Sequence, residues 1–195
     1  TEKRPKSIDI SKELESIGAQ YNAFTSQEYT GYYAKVNSKD LDIALDVVSD
    51  IYLNPLLETN EIEKEKGVIV EEIRMYQDMP HRHVHDLFMS LVYGDQPAGW
   101  YIGGTEDNVR KFTREDFVNY RNEHYVAEAT TVVVSGSFDE KNILENINKY
   151  FSKISNSKKS DKVKVIESQS KPQISVKFKE TDQAHLVLGV RSLDV

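Results

Sequence analysis

Two glutamates, Glu65 and Glu72, stand seven residues apart in the run Glu65-Lys-Gly-Val-Ile-Val-Glu-Glu72-Ile-Arg-Met-Tyr-Gln-Asp78. In a helix that spacing is close to two turns, so both carboxylates leave from one face. On an otherwise apolar stretch such a pair suits a metal ion; the ordinary alternative is two solvated helix glutamates. Three histidines follow at His81, His83 and His85. His81 and His85 are one helical turn apart and could hold zinc. Pro80 nevertheless places them in the first turns of a helix beside Arg82 and Asp86, where exposed histidines are the ordinary reading. The segment Gly94-Asp-Gln-Pro-Ala-Gly99 has the glycine spacing of a phosphate loop. It lacks the following Lys-Ser/Thr and does not lie between a strand and a helix start, so a turn-rich crossover is expected instead. His124 and His185 are isolated, and no Ser/His/Asp or Cys/His constellation can be assembled.

These groups need elements to position them. Ile10, Leu14 and Ile17 form a helical stripe that stops at Gly18. The stretches Ala19 to Thr25 and Glu28 to Val36 are rich in aromatic and β-branched residues around a Ser26-Gln27 turn, which predicts two antiparallel strands. Asn22 and the small Ala23 suit a sheet edge. Such an edge can capture an extended peptide by main-chain hydrogen bonds; an ordinary protected edge is the alternative. Ser38 predicts a helix from about Lys39 to Tyr52, and Pro55 stops it. Asn60 with Glu63 has capping-box spacing and opens the long helix carrying Glu65 and Glu72. Pro80 restarts a helix to about Val92. Thr113 with Asp116 caps another to about Tyr125, and Asp139 to Phe151 is a further one. Thr130 to Gly136, Gln173 to Lys179 and Ala184 to Val190 read as single strands. Helices packed on a largely antiparallel sheet, an α+β class, are expected.

The 195 residues carry a formal charge of −7 with both signs mixed along the chain. Without a basic stripe or pole, neither nucleic acid nor an anionic membrane is expected as a partner. Cysteine is absent, which excludes disulfides and thiolate metal sites. No apolar run reaches membrane-spanning length, and no signal peptide is expected. A cytoplasmic setting is expected. The first residue is Thr1, so a trimmed or processed polypeptide is expected too.

Gly18-Ala-Gln-Tyr-Asn-Ala-Phe-Thr25 followed by Tyr29-Thr-Gly-Tyr-Tyr33 resembles the strand pair of the M16 metallopeptidases, the family of pitrilysin, insulin-degrading enzyme and mitochondrial processing peptidase. The run from Glu65 to Pro80 is similar to that family's glutamate helix. Val84-His-Asp-Leu-Phe88, the stretch from Gly94 to Glu106, Phe117 to Tyr125 and Val132 to Gly136 follow its motifs in order. The resemblance implies a domain layout of 1–154 as the N-terminal peptidase region, 155–172 as linker and 173–195 as the start of the next region. It implies zinc, with Glu72 as the glutamate completing the metal site and Glu65 as a nearby glutamate that supports catalysis. It makes Asn22, Ala23 and Phe24 the edge strand that holds a peptide or unfolded polypeptide substrate. The family's His-x-x-Glu-His motif, which brings two imidazole ligands and the general base, is not among these residues and is expected upstream of Thr1. The homologous second half, as a further segment or subunit, is also expected outside them. The implied activity is endopeptidase hydrolysis with zinc-activated water as nucleophile, the 195 residues alone being inactive. A noncatalytic binding or scaffold subunit of the same family is the alternative.

Overall fold

The computed structural model describes residues 1–190; the last five positions of the expected 173–195 segment lie outside the described residues. The chain divides into two compact units, Thr1–Thr59 with Thr113–Asp161, and Asn60–Phe112 with Lys162 onward.

In the first unit, α1 (Ser7–Ser16) buries Leu14 and ends where Gly18 adopts a φ of 68°. That left-handed turn lets the amides of Gly18 and Ala19 reach the Glu15 and Leu14 carbonyls at 3.0 Å. Strands β1 (Gln20–Thr25) and β2 (Thr30–Lys35) pair antiparallel, with Asn22 opposite Tyr33, Ala23 opposite Tyr32 and Phe24 opposite Gly31. The Phe24 ring covers Gly31 so closely that an added Cβ there would come within 2.3 Å of it. Helix α2 (Leu41–Leu53) is entered through a short 3-10 turn, where the side chain of Asn37, one residue before Ser38, accepts from the Lys39 amide. It buries Ala44, Leu45 and Val47 and packs against α1, β2 and α7. Helix α6 (Arg114–His124) opens with the expected capping box: Asp116 accepts from the Thr113 amide at 2.7 Å and Thr113 from the Asp116 amide at 3.3 Å. Helix α7 (Glu140–Phe151) is capped by Asp139, and Ile143 and Val126 are buried with this unit's other apolar residues.

A buried arginine ties the start of the chain to this unit. Arg4, 2% exposed, donates to Glu13 at 2.6 and 2.7 Å, to Asp46 at 2.6 Å and to Asp50 at 2.8 Å. Thr1 Oγ1 adds a 2.6 Å bond to Asp50, and Lys3 pairs with Asp46. Burial works to raise both aspartates. Hydrogen bonds from Lys3 and Arg4 outweigh it at Asp46, and bonds from Thr1, Asn54 and Arg4 do so at Asp50, so both carboxyls lie below their ordinary value. The segment 1–4 is thereby fastened to α1 and α2.

In the second unit, α3 (Thr59–Gln77) buries Val70 and Ile73. These meet Val109 of α5 (Glu106–Lys111), with Ile69 and Tyr101 packed alongside. Helix α4 (Pro80–Tyr93) begins at Pro80 as expected. The loop after it starts from the end of a helix and contains only a 3-10 turn at Pro97–Gly99, which removes any phosphate-loop geometry.

The sheet is smaller than the sequence pattern suggests. Among the described residues, β1 and β2 form its two strands; Thr130 to Gly136, Gln173 to Lys179 and Ala184 to Val190 form none. Their alternation is strand-like, but a strand is completed only by a hydrogen-bonded neighbour. Val133, Ile174, Val176, Phe178, Leu186 and Leu188 stand exposed instead.

Candidate metal-ligand helix and edge strand

Glu65 and Glu72 both lie on α3, as their spacing requires, about 10 Å apart along its axis. Both are exposed, and among the described residues no hydrogen bond or ion pair occupies either carboxylate. Their neighbours are engaged. Lys66 pairs with Glu63 at 2.5 Å and reaches the Arg110 carbonyl at 3.4 Å. Arg74 grips Glu106 with two bonds, at 3.0 and 2.7 Å, and holds Glu71 at 2.7 Å. The Arg74 hydrogen bond keeps the Glu106 carboxyl below its ordinary value. Burial pushes the Tyr101 phenol up, and the charges of Asp86, Tyr76 and Glu72 add to the push, so Glu72 acts on the tyrosine packed beside α3.

The histidines of α4 separate. His83 takes a bond from Lys177 Nζ at 2.9 Å on Nε2, leaving Nδ1 to carry the ring proton 3.8 Å from Asp86. Burial, then the Lys177 charge, lowers its pKa below the ordinary histidine value, against a smaller opposing pull from Asp86. His81 and His85 are exposed, and the His81 ring lies 6.2 Å from that of His185. No group of three or more His, Cys, Asp or Glu side chains among the described residues is placed to hold a metal ion. Glu72 offers one hard oxygen donor that suits zinc, whereas a catalytic zinc takes about three protein ligands and one open position. The described residues therefore fit one arm of a zinc site and do not form the site.

The edge strand belongs to the other unit. Asn22, Ala23 and Phe24 are exposed on β1, whose second edge has no strand beside it among the described residues. Asn22 Oδ1 accepts from the Ala23 amide at 2.8 Å. Phe24 meets Tyr29 edge-on at 5.9 Å and Tyr33 at 6.4 Å. Behind β2, Tyr32 and Tyr125 share a hydroxyl contact at 3.3 Å, and Arg121 lies 4.2 Å over the Tyr125 ring. Burial, then the Tyr32 bond, pushes the Tyr125 phenol up to about 12. The same Arg121 donates to the Tyr52 carbonyl at the end of α2. This aromatic layer braces the hairpin that carries the edge.

Sequence reasoning missed Arg4 and the Arg74–Glu106 grip. A lone arginine near a chain start carries no local signal for its three carboxylates. Glu106 signals only a helix N-terminus, not its partner on α3.

Helices with a two-stranded antiparallel hairpin give the chain an α+β fold. The profile described as Insulinase (Peptidase family M16) matches residues 1–106, and that of the Peptidase M16 inactive domain matches residues 111–195. The chain belongs to peptidase family M16. It is 35% identical over 187 residues to a Bacillus subtilis (strain 168) protein described as the uncharacterized zinc protease YmxG, covering 96% of this chain and 45% of the relative. A Helicobacter pylori protease structure superposes with a TM-score of 0.73 at 23% identity, over 82% of this chain and 39% of that one. A putative M16-like peptidase from Alicyclobacillus acidocaldarius does so at 0.70 and 26%, over 78% and 36%. The chain thus spans less than half the length of these relatives. No helix among its described residues is long and apolar enough to cross a membrane.

Proposed function

We propose that these residues are part of a zinc-dependent endopeptidase that hydrolyses peptides docked as an added strand on β1. The observation that carries this is the Glu65 and Glu72 pair: exposed on one face of α3, without a hydrogen bond or ion pair among the described residues, in a chain of family M16. Glu72 supplies one oxygen to the metal. Glu65, two turns away on the same face, supports catalysis by adding negative charge near the cation. Asn22, Ala23 and Phe24 offer main-chain groups to an extended substrate, with the Asn22 side chain releasing the Ala23 amide as the substrate strand arrives. Zinc, when bound, supplies Lewis-acid polarisation and an acidified water.

The remaining ligands, the general base and a homologous second half come from the longer polypeptide or a partner subunit, a reading supported by the 45% span of the Bacillus relative. The division into 1–154, a 155–172 linker and the start of a second region at 173, in a cytoplasmic protein, belongs to the same proposal. The 195 residues alone are inactive.

The test is Glu72→Gln in the complete polypeptide. Metal analysis should show zinc lost and a peptide-cleavage assay should show activity abolished; retained zinc and turnover would refute the ligand assignment. A second reading, a noncatalytic binding subunit, is favoured by the inactive-domain profile over residues 111–195. It requires peptide binding on β1 with no cleavage in the complete protein, and turnover abolished by a chelator excludes it.

A further inference from the structure

We propose that Glu106 is a positioning residue: through its two-bond grip on Arg74 it fixes the rotation of α3 about its own axis and so sets where the Glu65 and Glu72 carboxylates stand. The inference rests on the metal-ligand reading of Glu72 and names what holds that ligand in place.

Helical geometry assigns the faces. At about 100° per residue, Lys66, Ile69, Val70, Ile73 and Arg74 fall on one broad side of α3, and Glu65 and Glu72 leave roughly a quarter to a third of a turn away. The broad side is the one that meets α5. Val70 and Ile73 pack on Val109 at its centre. Lys66 reaches the Arg110 carbonyl at one end, and Arg74 grips Glu106 at the other. Each glutamate of the pair is therefore flanked within two residues by a side chain bonded to α5.

The apolar contact is small, three buried residues with Ile69 and Tyr101 alongside, and it contains no directional bond to fix the angle of the helix. The planar guanidinium fork is directional and accepts only a narrow range of carboxylate orientations. Glu106 is itself held. Arg110, one turn on, lies 3.8 Å from the same carboxylate, and Thr105 caps α5 by accepting from the Asn108 amide at 3.2 Å. Across the contact between the two helices, Arg74, Glu106 and Arg110 thus alternate in sign, while Glu71 holds the other arm of Arg74 from within α3. Isolated exposed ion pairs are worth little, but bidentate geometry and networks are the exceptions.

The lever is long enough to matter. A 20° turn of α3 displaces an atom about 5 Å from the axis by roughly 2 Å. Metal–ligand distances tolerate only about 0.2 Å. A helix free to turn would hold its ligand carboxylate in place for only a fraction of the time.

The test uses the complete polypeptide loaded with zinc. Glu106→Gln keeps the shape and removes the charge; Arg74→Lys keeps the charge and removes the fork. Glu71→Gln, which frees the other arm of Arg74 without touching α5, is the control. Zinc affinity is read by chelator competition, kcat and KM separately by peptide cleavage, and folding by the melting temperature. Removing a residue bonded directly to a metal ligand typically costs 10–100-fold in affinity. Glu106 and Arg74 act on Glu72 only through the helix, so Glu106→Gln and Arg74→Lys should each weaken zinc by about 10-fold, the low end of that range, and lower kcat with KM little changed. The melting temperature should stay close to wild type, and Glu71→Gln should leave zinc in place. Unchanged zinc affinity in either variant overturns the proposal, as does a loss that only follows unfolding. Glu72→Gln separates the two ideas. If it leaves zinc bound, the ligand reading has failed. If it strips zinc while Glu106→Gln does not weaken it, only the positioning role has failed.

Discussion

A carboxylate held out to solvent on a helix whose other charges, Glu65 apart, are engaged is available for chemistry, and Glu72 has that standing; Arg4 has the opposite one. Its guanidinium is almost wholly enclosed by Glu13, Asp46 and Asp50, so its charge is taken up by structure. Removing Arg4 leaves Asp50, whose side chain is only 9% exposed, beside Asp46 without the cation between them. Arg4→Ala should destabilise the protein by about 3 kcal/mol in denaturant unfolding. The pH dependence has a definite sign. Asp46 and Asp50 have folded-state values below their unfolded ones. Their contribution is complete above the unfolded aspartate value of about 4 and is lost as pH falls through the folded values. Stability measured from pH 7 downward should therefore hold to about pH 5 and then drop. In Asp50→Asn the acid limb should be shallower, since one of the two protonations no longer opposes folding.

At the scale of elements, α3 combines two demands: it must stay helical, and it must present its glutamates. Gly67 lies inside it with no atom within 4 Å of an added Cβ, so nothing in the packing requires glycine there. Gly67→Ala should raise stability by about 0.5–1 kcal/mol through helix propensity, seen as a higher melting temperature. The elements legible in the sequence were those with local causes. The Thr113 and Asp116 box, Pro80 at a helix start, the Gly18 stop and the β1–β2 turn each depend on residues a few positions apart, and all formed. The seven-residue interval likewise placed Glu65 and Glu72 on one helix. The segments at 130, 173 and 184 carried an equally good alternating pattern, yet a strand needs a distant partner, and alternation does not name it. The Arg74–Glu106 and Arg4 contacts escaped for the same reason, being joined across 32 and 46 residues.

At the scale of the whole molecule, alternation without pairing has an energetic consequence. Ile174, Val176, Phe178, Leu186, Leu188 and Val190 are each between 86% and 93% exposed. Burying a large aliphatic or aromatic side chain stabilises by about 1.5–3 kcal/mol, so these six leave on the order of 10 kcal/mol of hydrophobic driving force unused. Unpaired main-chain groups run alongside them, and an exposed apolar segment with open hydrogen-bonding edges tends to associate. The Bacillus relative extends over more than twice the matched length, and the proposed second half is the natural cover for such a surface. The isolated 195-residue polypeptide should therefore bind an apolar fluorescent dye strongly and self-associate in sedimentation. It should neither retain zinc after dialysis nor cleave peptide. The complete polypeptide should show weak dye binding and no concentration-dependent association through these residues. Replacing Val176 and Leu188 by Thr in the isolated chain should reduce both dye binding and association while leaving its helical circular dichroism unchanged. A monomeric isolated chain with low dye binding would mean that these side chains are covered in solution by the chain's own residues, and the need for a second half to cover them would fall.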